Sequence, residues 1–275
     1  MSTVWLNGAL IEAEHAHIAI TDRGFLLADG LFETMLAKQG HIQDLDAHLA
    51  RLATSAAILR IPLLFDAVLL GRACEDVLVA TGLRTADRAS LRLTLTRGSG
   101  PRGVLPPKEV HATVLITASA MPAPPDAMTA ITSKTVRRDA ASPLSAIKSL
   151  AYTGNILARL EADDAGVSEA LILNTDGNLA ETTSSNVFLV ENGALVTPPV
   201  SDGALPGIAR AAVIEQAREM GFPVKEETVS PARLRSASEI FLTNSVIGVC
   251  PLTGLDGRTL PVGTLTERLI EAMDL

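Results

Sequence analysis

Ile147-Lys148-Ser149-Leu150-Ala151-Tyr152-Thr153-Gly154-Asn155, with Glu181-Thr182-Thr183-Ser184-Ser185-Asn186 downstream, is the pair of segments on which the reading of this chain turns. The first sets one lysine in a neutral, partly apolar run with a tyrosine four residues on. The second sets one carboxylate ahead of a cluster of hydroxyls that leads into the apolar strand Val187-Phe188-Leu189-Val190. A lysine taken out of water has its ammonium form disfavoured and becomes a usable amine nucleophile. A Schiff-base enzyme needs such an amine, and an acidic partner for a pyridinium nitrogen is its usual companion. Alone, Lys148 reads first as a strand-end lysine with its head in water, as most lysines are. The two segments together suggest pyridoxal 5'-phosphate (PLP) as cofactor.

Composition bounds the alternatives. A chain of 275 residues holds one large domain or two modest ones. Hydrophobic residues at 47% and charged residues at 20% are ordinary for a soluble globular protein. Aromatics make up only 3%, which argues against a base-stacking platform, and a net charge of −8 with no basic run argues against nucleic acid. Cys74 and Cys250 lie far apart without metal spacing and read as buried thiols of a reducing cytosol. His15, His17, His41, His48 and His111 are scattered, so no metal site is expected. The first residues lack a basic leader, and no apolar stretch approaches the roughly 20 residues that cross a bilayer. The expectation is a cytoplasmic protein with no membrane partner.

Thr3-Val4-Trp5-Leu6, Asn7-Gly8 and Ala9-Leu10-Ile11-Glu12 read as a hairpin. Thr21-Asp22-Arg23-Gly24 and Ala28-Asp29-Gly30 read as punctuation before a strand over Leu31–Ala37. Leu45, Leu49, Leu52, Ala56 and Leu59 recur at helical spacing, and a second helix is expected from about Phe65 to Thr81. Ala89–Arg97 alternates as a strand. Met121-Pro122-Ala123-Pro124-Pro125 is an extended connector, because three prolines in four residues cannot join a helix or a central strand. It places a small α+β domain over residues 1–120, a linker over 121–126 and a larger domain over 127–275. Past it, helices are expected over Tyr152–Ala165, Ile208–Met220 and about Thr264–Met273, with strands at Ala170–Leu173, Val187–Val190, Ala194–Val196 and Glu239–Asn244.

The ordered set of short motifs resembles the class IV, fold-type IV PLP enzymes: branched-chain and D-amino acid aminotransferases, (R)-amine transaminases and aminodeoxychorismate lyase. The matching pieces are Asp22-Arg23-Gly24-Phe25, Asp29-Gly30-Leu31-Phe32-Glu33-Thr34, His48-Leu49-Ala50-Arg51-Leu52, Lys148-Ser149-Leu150-Ala151-Tyr152, Asn174-Thr175-Asp176-Gly177, Glu181 to Phe188, Leu205-Pro206-Gly207-Ile208-Ala209-Arg210 and Phe241-Leu242-Thr243-Asn244-Ser245. The resemblance implies an α+β fold whose larger domain is strand-rich and barrel-like. It also implies an interdomain active site completed from a second subunit, hence a homodimer. Lys148 would form the Schiff base and shuttle the substrate proton. Glu181 would sit against the pyridine nitrogen, and Tyr152 would hydrogen-bond the phenolic oxygen. Arg51, Ser185, Asn186, the helix start Gly207-Ile208-Ala209 and the turn Asn244-Ser245 would complete the cofactor site. Gly207 to Ala209 open a helix, whose free N–H groups suit a phosphate. Ala209 and Ser245 stand where threonine is common in the family.

Substrate contacts are expected from Phe32 and from Arg97 and Arg102 of the loop Arg97-Gly98-Ser99-Gly100-Pro101-Arg102-Gly103, since arginine suits bidentate carboxylate capture. The same loop also reads as a basic hairpin tip in water. D-specific relatives often carry Arg-x-His here and a tyrosine at Phe32; this chain has neither. The implied reaction is amino transfer between an amino acid or amine and a 2-oxo acid. The lyase reaction, giving 4-aminobenzoate and pyruvate, is the alternative that the Arg-Gly-Ser-Gly-x-Arg-Gly string favours. A non-catalytic PLP-binding protein is the remaining one.

Overall fold

Asn7 and Gly8 both hold positive φ, 49° and 103°, the geometry of a two-residue hairpin turn. They join β1 (Thr3–Leu6) to β2 (Ala9–Glu12). The structure, a computed structural model, describes residues 3–273. Contacts divide the chain into two units: one running to Ala123 and taking in Ile147–Ala151, the other formed by Pro124–Ala146 and the chain from Tyr152 on.

The first unit carries α1 (Arg23–Leu27), β3 (Gly30–Lys38), β4 (His41–Ile42), α2 (Leu45–Leu59), α3 (Ala67–Ala80), β5 (Ala89–Thr96) and β6 (Thr113–Ala120). Its antiparallel sheet has the order β2-β1-β6-β5-β3-β4. Strand alternation sends Leu31 and Met35 of β3, and Leu91, Leu93 and Leu95 of β5, into a core shared with Leu49, Leu52 and Ala56 of α2 and Val77 of α3. Asp66 caps α3 by accepting from the Leu69 N–H at 2.8 Å, a contact worth about 1 kcal/mol. The stretch Thr21–Gly24, read from the sequence as punctuation, starts a short helix, with Asp22 at its N-cap accepting from the Gly24 N–H at 2.7 Å.

The second unit carries β7 (Met128–Arg138), α4 (Thr153–Asp164), β8 (Glu169–Asn174), β9 (Leu179–Thr182), β10 (Asn186–Glu191), β11 (Ala194–Thr197), α5 (Ile208–Glu219), β12 (Val224–Glu226), α6 (Pro231–Ser236), β13 (Glu239–Asn244), β14 (Gly248–Leu255), β15 (Arg258–Thr259) and α7 (Thr264–Ala272). Eight strands run β12-β11-β10-β13-β14-β7-β8-β9, with β15 on β14. The sheet's strands β8, β9, β10, β11 and β13 are buried on both faces. Val187 and Leu189 of β10 enter one core, while Phe188 and Val190 enter another with Val213 of α5 and Leu269 of α7. Phe188 stacks on Phe241 at 5.0 Å.

Two features of these units depart from the expected layout. β7 is an eleven-residue strand pairing in parallel with both β14 and β8. Its register slips between Thr132 and Arg137, so no clean alternation marks it. The lysine-bearing segment Ile147–Ala151, expected in the larger domain, belongs to the first unit. It is held there by the backbone of β3, through the Phe32 N–H to the Lys148 carbonyl at 2.9 Å and the Leu150 N–H to the Gly30 carbonyl at 3.0 Å.

Candidate active site

Lys148 lies half-buried on the segment that extends the edge of β3. Gly30 permits this approach, since a Cβ there would stand 2.4 Å from the Leu95 carbonyl oxygen and 2.8 Å from Leu150. The Lys148 amine lies 4.6 Å from the centre of the Phe32 ring, and the Arg92 guanidinium lies 3.9 Å from it. Both distances are within cation–π range. Phe32, expected to face substrate, is 5% exposed and presents its ring to these two cations. Arg92 was not among the expected site residues. Its signal was available: the register Phe32↔Thr94 and Thr34↔Arg92 puts it on the Phe32 side of the sheet, and the Leu91-Arg92-Leu93 alternation says the same.

Arg51 points from α2 to Glu33 of β3. Its Nε donates to Glu33 Oε1 at 2.9 Å and its Nη2 to Oε2 at 2.6 Å. His48 Nδ1 lies 2.7 Å from the same Oε2. Burial pushes the Glu33 carboxyl up, but the hydrogen bonds from His48 and Arg51 and the guanidinium charge reverse this and hold it below the usual carboxylate range.

The loop after β5 corrects one expectation. Arg97 is 4% exposed, and its guanidinium is committed: Nε and Nη2 to Asp29 at 2.8 and 2.9 Å, Nη1 to the Arg60 carbonyl at 3.0 Å, and Nη2 also to the Leu59 carbonyl at 2.8 Å. Asp29 and two backbone carbonyls thus use the donors that a substrate carboxylate would need. Arg23, also missed, donates to Asp29 at 2.8 Å and to the Gly103 and Val104 carbonyls at 2.8 and 2.9 Å, so it ties down the far end of the loop. Arg102 remains exposed on that loop.

In the second unit, Glu181 of β9 is 7% exposed. Its Oε1 lies 3.1 Å from Arg138 Nη2, and its Oε2 accepts from the Leu205 N–H at 2.8 Å. The Leu205 carbonyl accepts from Asn186 Nδ2 at 2.9 Å and from the Gly207 N–H at 2.8 Å. Gly207 is the N-cap of α5, with Ile208 and Ala209 in its first turn. A Cβ at Gly207 would fall 2.0 Å from Asn186 Oδ1, so glycine is required for that packing. Asn244 accepts from the Val246 and Ile247 N–H groups through Oδ1, while its Nδ2 donates to Ser185 Oγ at 3.0 Å. Ser245 follows, half-buried, in the same turn. Glu181, Ser185, Asn186, Gly207, Ile208, Ala209, Asn244 and Ser245 therefore form one linked constellation, and Tyr152 stands half-buried at the N-cap of α4.

Glu169 fixes the hydroxyl cluster and was not foreseen. Its buried carboxylate accepts from the Ala170 N–H, from Thr183 Oγ1 at 2.5 Å, from Thr182 Oγ1 at 3.1 Å and from Ser184 Oγ at 3.3 Å. It precedes Thr182 by thirteen residues, so nothing local announced the contact. A cleft of about 780 Å³ also lies in this unit, lined by Thr132, Ser133, Lys134, Arg137, Glu161 and Asp256 among others, and none of the expected site residues lines it.

The donor set suits PLP. A primary amine, a fixed and nearly buried carboxylate, a guanidinium, a helix start and a hydroxyl-bearing turn are the partners for an aldehyde, a protonated ring nitrogen and a phosphate.

Residues 30–255 match the family described as Amino-transferase class IV, and the chain belongs to the class IV aminotransferases. A putative branched-chain-amino-acid aminotransferase of Methanocaldococcus jannaschii is 37% identical over 279 residues, 98% of this chain and 94% of that protein. A D-alanine aminotransferase of Bacillus licheniformis is 31% identical over 266 residues, 94% and 90% of the two chains. The solved structure of a putative 4-amino-4-deoxychorismate lyase from Legionella pneumophila matches with a TM-score of 0.89 at 30% identity, over 95% of this chain and 96% of that one. The mixed α and β fold is thus that of fold-type IV, the chain is an enzyme, and its family is PLP-dependent. The non-catalytic reading falls away.

Proposed function

We propose that this aminotransferase transfers an amino group between an amino acid and a 2-oxo acid, with PLP held by Lys148, Tyr152, Glu181, Arg51 and the constellation around Gly207. One observation carries the reading. A single residue, Leu205, links the Glu181 carboxylate to the start of α5, so a partner for a ring N–H and a cradle for an anion are built as one piece. Bound PLP supplies the electron sink for the substrate's Cα electrons. Lys148 would hold the cofactor through its amine and, once substrate takes its place, would accept and return the substrate's Cα proton. Glu181 accepts a hydrogen bond from the pyridine N–H, and Arg138 with the Leu205 N–H keeps the carboxylate in position. Arg51, the N–H groups of Ile208 and Ala209, and the Asn244-Ser245 turn hold the phosphate. Tyr152 donates to the phenolic oxygen.

The lyase alternative drew on two guanidiniums in the Arg97–Gly103 loop. Asp29 withdraws the Arg97 guanidinium from that pair, so the loop feature behind the lyase reading is weakened and transamination is the better supported reaction. A titration of the PLP-loaded protein with L-leucine, L-glutamate, D-alanine, (R)-1-phenylethylamine and aminodeoxychorismate tests this. Conversion of the cofactor band to the pyridoxamine phosphate band by an amino acid is expected. A band that survives every simple amine, with 4-aminobenzoate released from aminodeoxychorismate, would show a lyase instead.

A homodimer and a cytoplasmic setting belong to the same proposal. Phe25, Leu26, Leu27, Val104 and Leu105 are exposed, Phe25 at 75% and Val104 at 86%, on α1 and on the loop that Arg23 ties to it, and Ile20 is exposed just ahead of α1. Apolar surface of this kind marks an interface. Phe25→Asp should halve the mass measured by light scattering; a monomeric wild type, or a variant that stays dimeric, would remove this surface from the proposal. No helix among the described residues is long and apolar enough to cross a membrane. Both cysteines are buried, and burial pushes Cys74 up to about 12 and Cys250 up to about 11, as suits inert thiols.

A further inference from the structure

Three ionisable groups meet inside the first unit where apolar residues surround them. Glu33 and His48 are 1% and 0% exposed, yet Leu31 and Met35 on the same side of β3 and Leu49 and Leu52 on α2 belong to the hydrophobic core. Glu33 takes three donors: Arg51 Nε, Arg51 Nη2 and His48 Nδ1. His48 Nε2 is buried without a hydrogen-bond partner. A proton on Nδ1 lets the imidazole donate to Glu33, and Nε2 faces the core with nothing to bond.

Such an arrangement is a poor way to gain stability. Apolar residues of the same volume often serve a core as well as a buried ion pair does, and an unpaired buried nitrogen carries a cost of its own. What the arrangement does supply is a guanidinium with a fixed rotamer. The Glu33 carboxylate takes the Nε and Nη2 edge of Arg51 in a two-point contact, which fixes the plane of the guanidinium. Arginine otherwise gives up considerable side-chain freedom on binding, and fixing it beforehand removes that cost from the binding step.

We infer that Glu33, itself held by His48, is the positioning residue of the anion site: it orients the Arg51 guanidinium that receives the cofactor phosphate. The inference rests on the proposed role of Arg51. Glu33 lies on the side of β3 opposite Phe32, so it acts through Arg51 and not on the reacting atoms.

The test compares affinities of the full-length, cofactor-stripped chain for PLP and for pyridoxal, which lacks the phosphate, by absorbance titration. Glu33→Gln keeps the side-chain volume but turns an N–H₂ toward groups that already donate. It should weaken PLP about tenfold while leaving pyridoxal unchanged. Arg51→Gln should narrow the PLP preference at least as far. His48→Leu should weaken PLP about threefold, and His48→Asn, which returns a donor near the Nδ1 position, should restore it. If Arg51→Gln narrows the preference and Glu33→Gln does not, the positioning role is wrong while the Arg51 role stands. If Arg51→Gln leaves the preference intact, both fail together. Equal loss of PLP and pyridoxal in Glu33→Gln would mark a purely structural residue and overturn the inference. Should Glu33→Gln not fold, the His48 pair decides: loss in His48→Leu with recovery in His48→Asn supports positioning, and no loss in His48→Leu refutes it.

Discussion

Lys148→Ala is expected to lose transamination by at least about four orders of magnitude, because acid–base catalysis at this level and covalent tethering of the cofactor leave together. The same variant should lack the visible absorption of lysine-bound cofactor while still binding PLP. The fold should persist, since the backbone bonds that dock the segment on β3 use the Lys148 carbonyl and the Leu150 N–H and not the side chain. The side chain's packing against Phe32 is one cation–π contact of at most about 2 kcal/mol. Near-ultraviolet circular dichroism and PLP absorbance on one sample decide the matter. A variant that keeps both the band and measurable turnover would place the reactive amine elsewhere.

The second large effect concerns stability. Asp29 joins two buried guanidiniums, those of Arg23 and Arg97, whose side chains are 3% and 5% exposed. Asp29→Ala should destabilise the protein by about 3 kcal/mol, the lower end for breaking a buried charge pair, because the carboxylate retains some solvent contact. The thermal transition should fall by roughly 6–10 °C. Proteolysis should locate the damage between Gly100 and Leu105, since Arg23 holds the Gly103 and Val104 carbonyls. Burial raises the Asp29 carboxyl, but the hydrogen bonds and charges of Arg97 and Arg23 outweigh it and leave the group below its ordinary value. A carboxyl depressed by folding contributes its stability above the unfolded value near 3.9 and loses it as pH falls through the lower, folded value. Wild type should therefore weaken more than Asp29→Ala on acidification below about pH 4. An unaltered melting temperature and an identical acid transition in the variant would contradict this account.

Local periodicity made much of the framework readable. The leucine spacing of α2 and the alternation of β5 are local facts, and Asn7-Gly8 makes its turn from two adjacent residues. β7 escaped notice because it pairs in parallel with two strands and slips register midway, so its burial follows no period of two. The motif residues of the site could be placed along the chain, but their partners could not. Arg97 reads as a loop cation until Asp29, sixty-eight residues earlier, is seen against it. Glu33 sits in a motif that does not say what its carboxylate will meet, and Arg138 and Glu169 carry no mark in their own neighbourhoods, because each meets its partner only through tertiary packing.

The alternation of β3 also limits how this chain can change over evolutionary time. Phe32 and Glu33 are consecutive, yet one serves the lysine and the other serves Arg51 on the opposite side of the sheet. Inserting or deleting one residue between Gly30 and Phe32 would flip both side chains to the opposite face, sending the carboxylate to the side of Lys148 and the phenyl ring to the side of the guanidinium. Lineages descended from this sequence should therefore tolerate length changes at the Gln39-Gly40 turn, where both residues already hold positive φ, and show none in the four residues from Gly30 to Glu33.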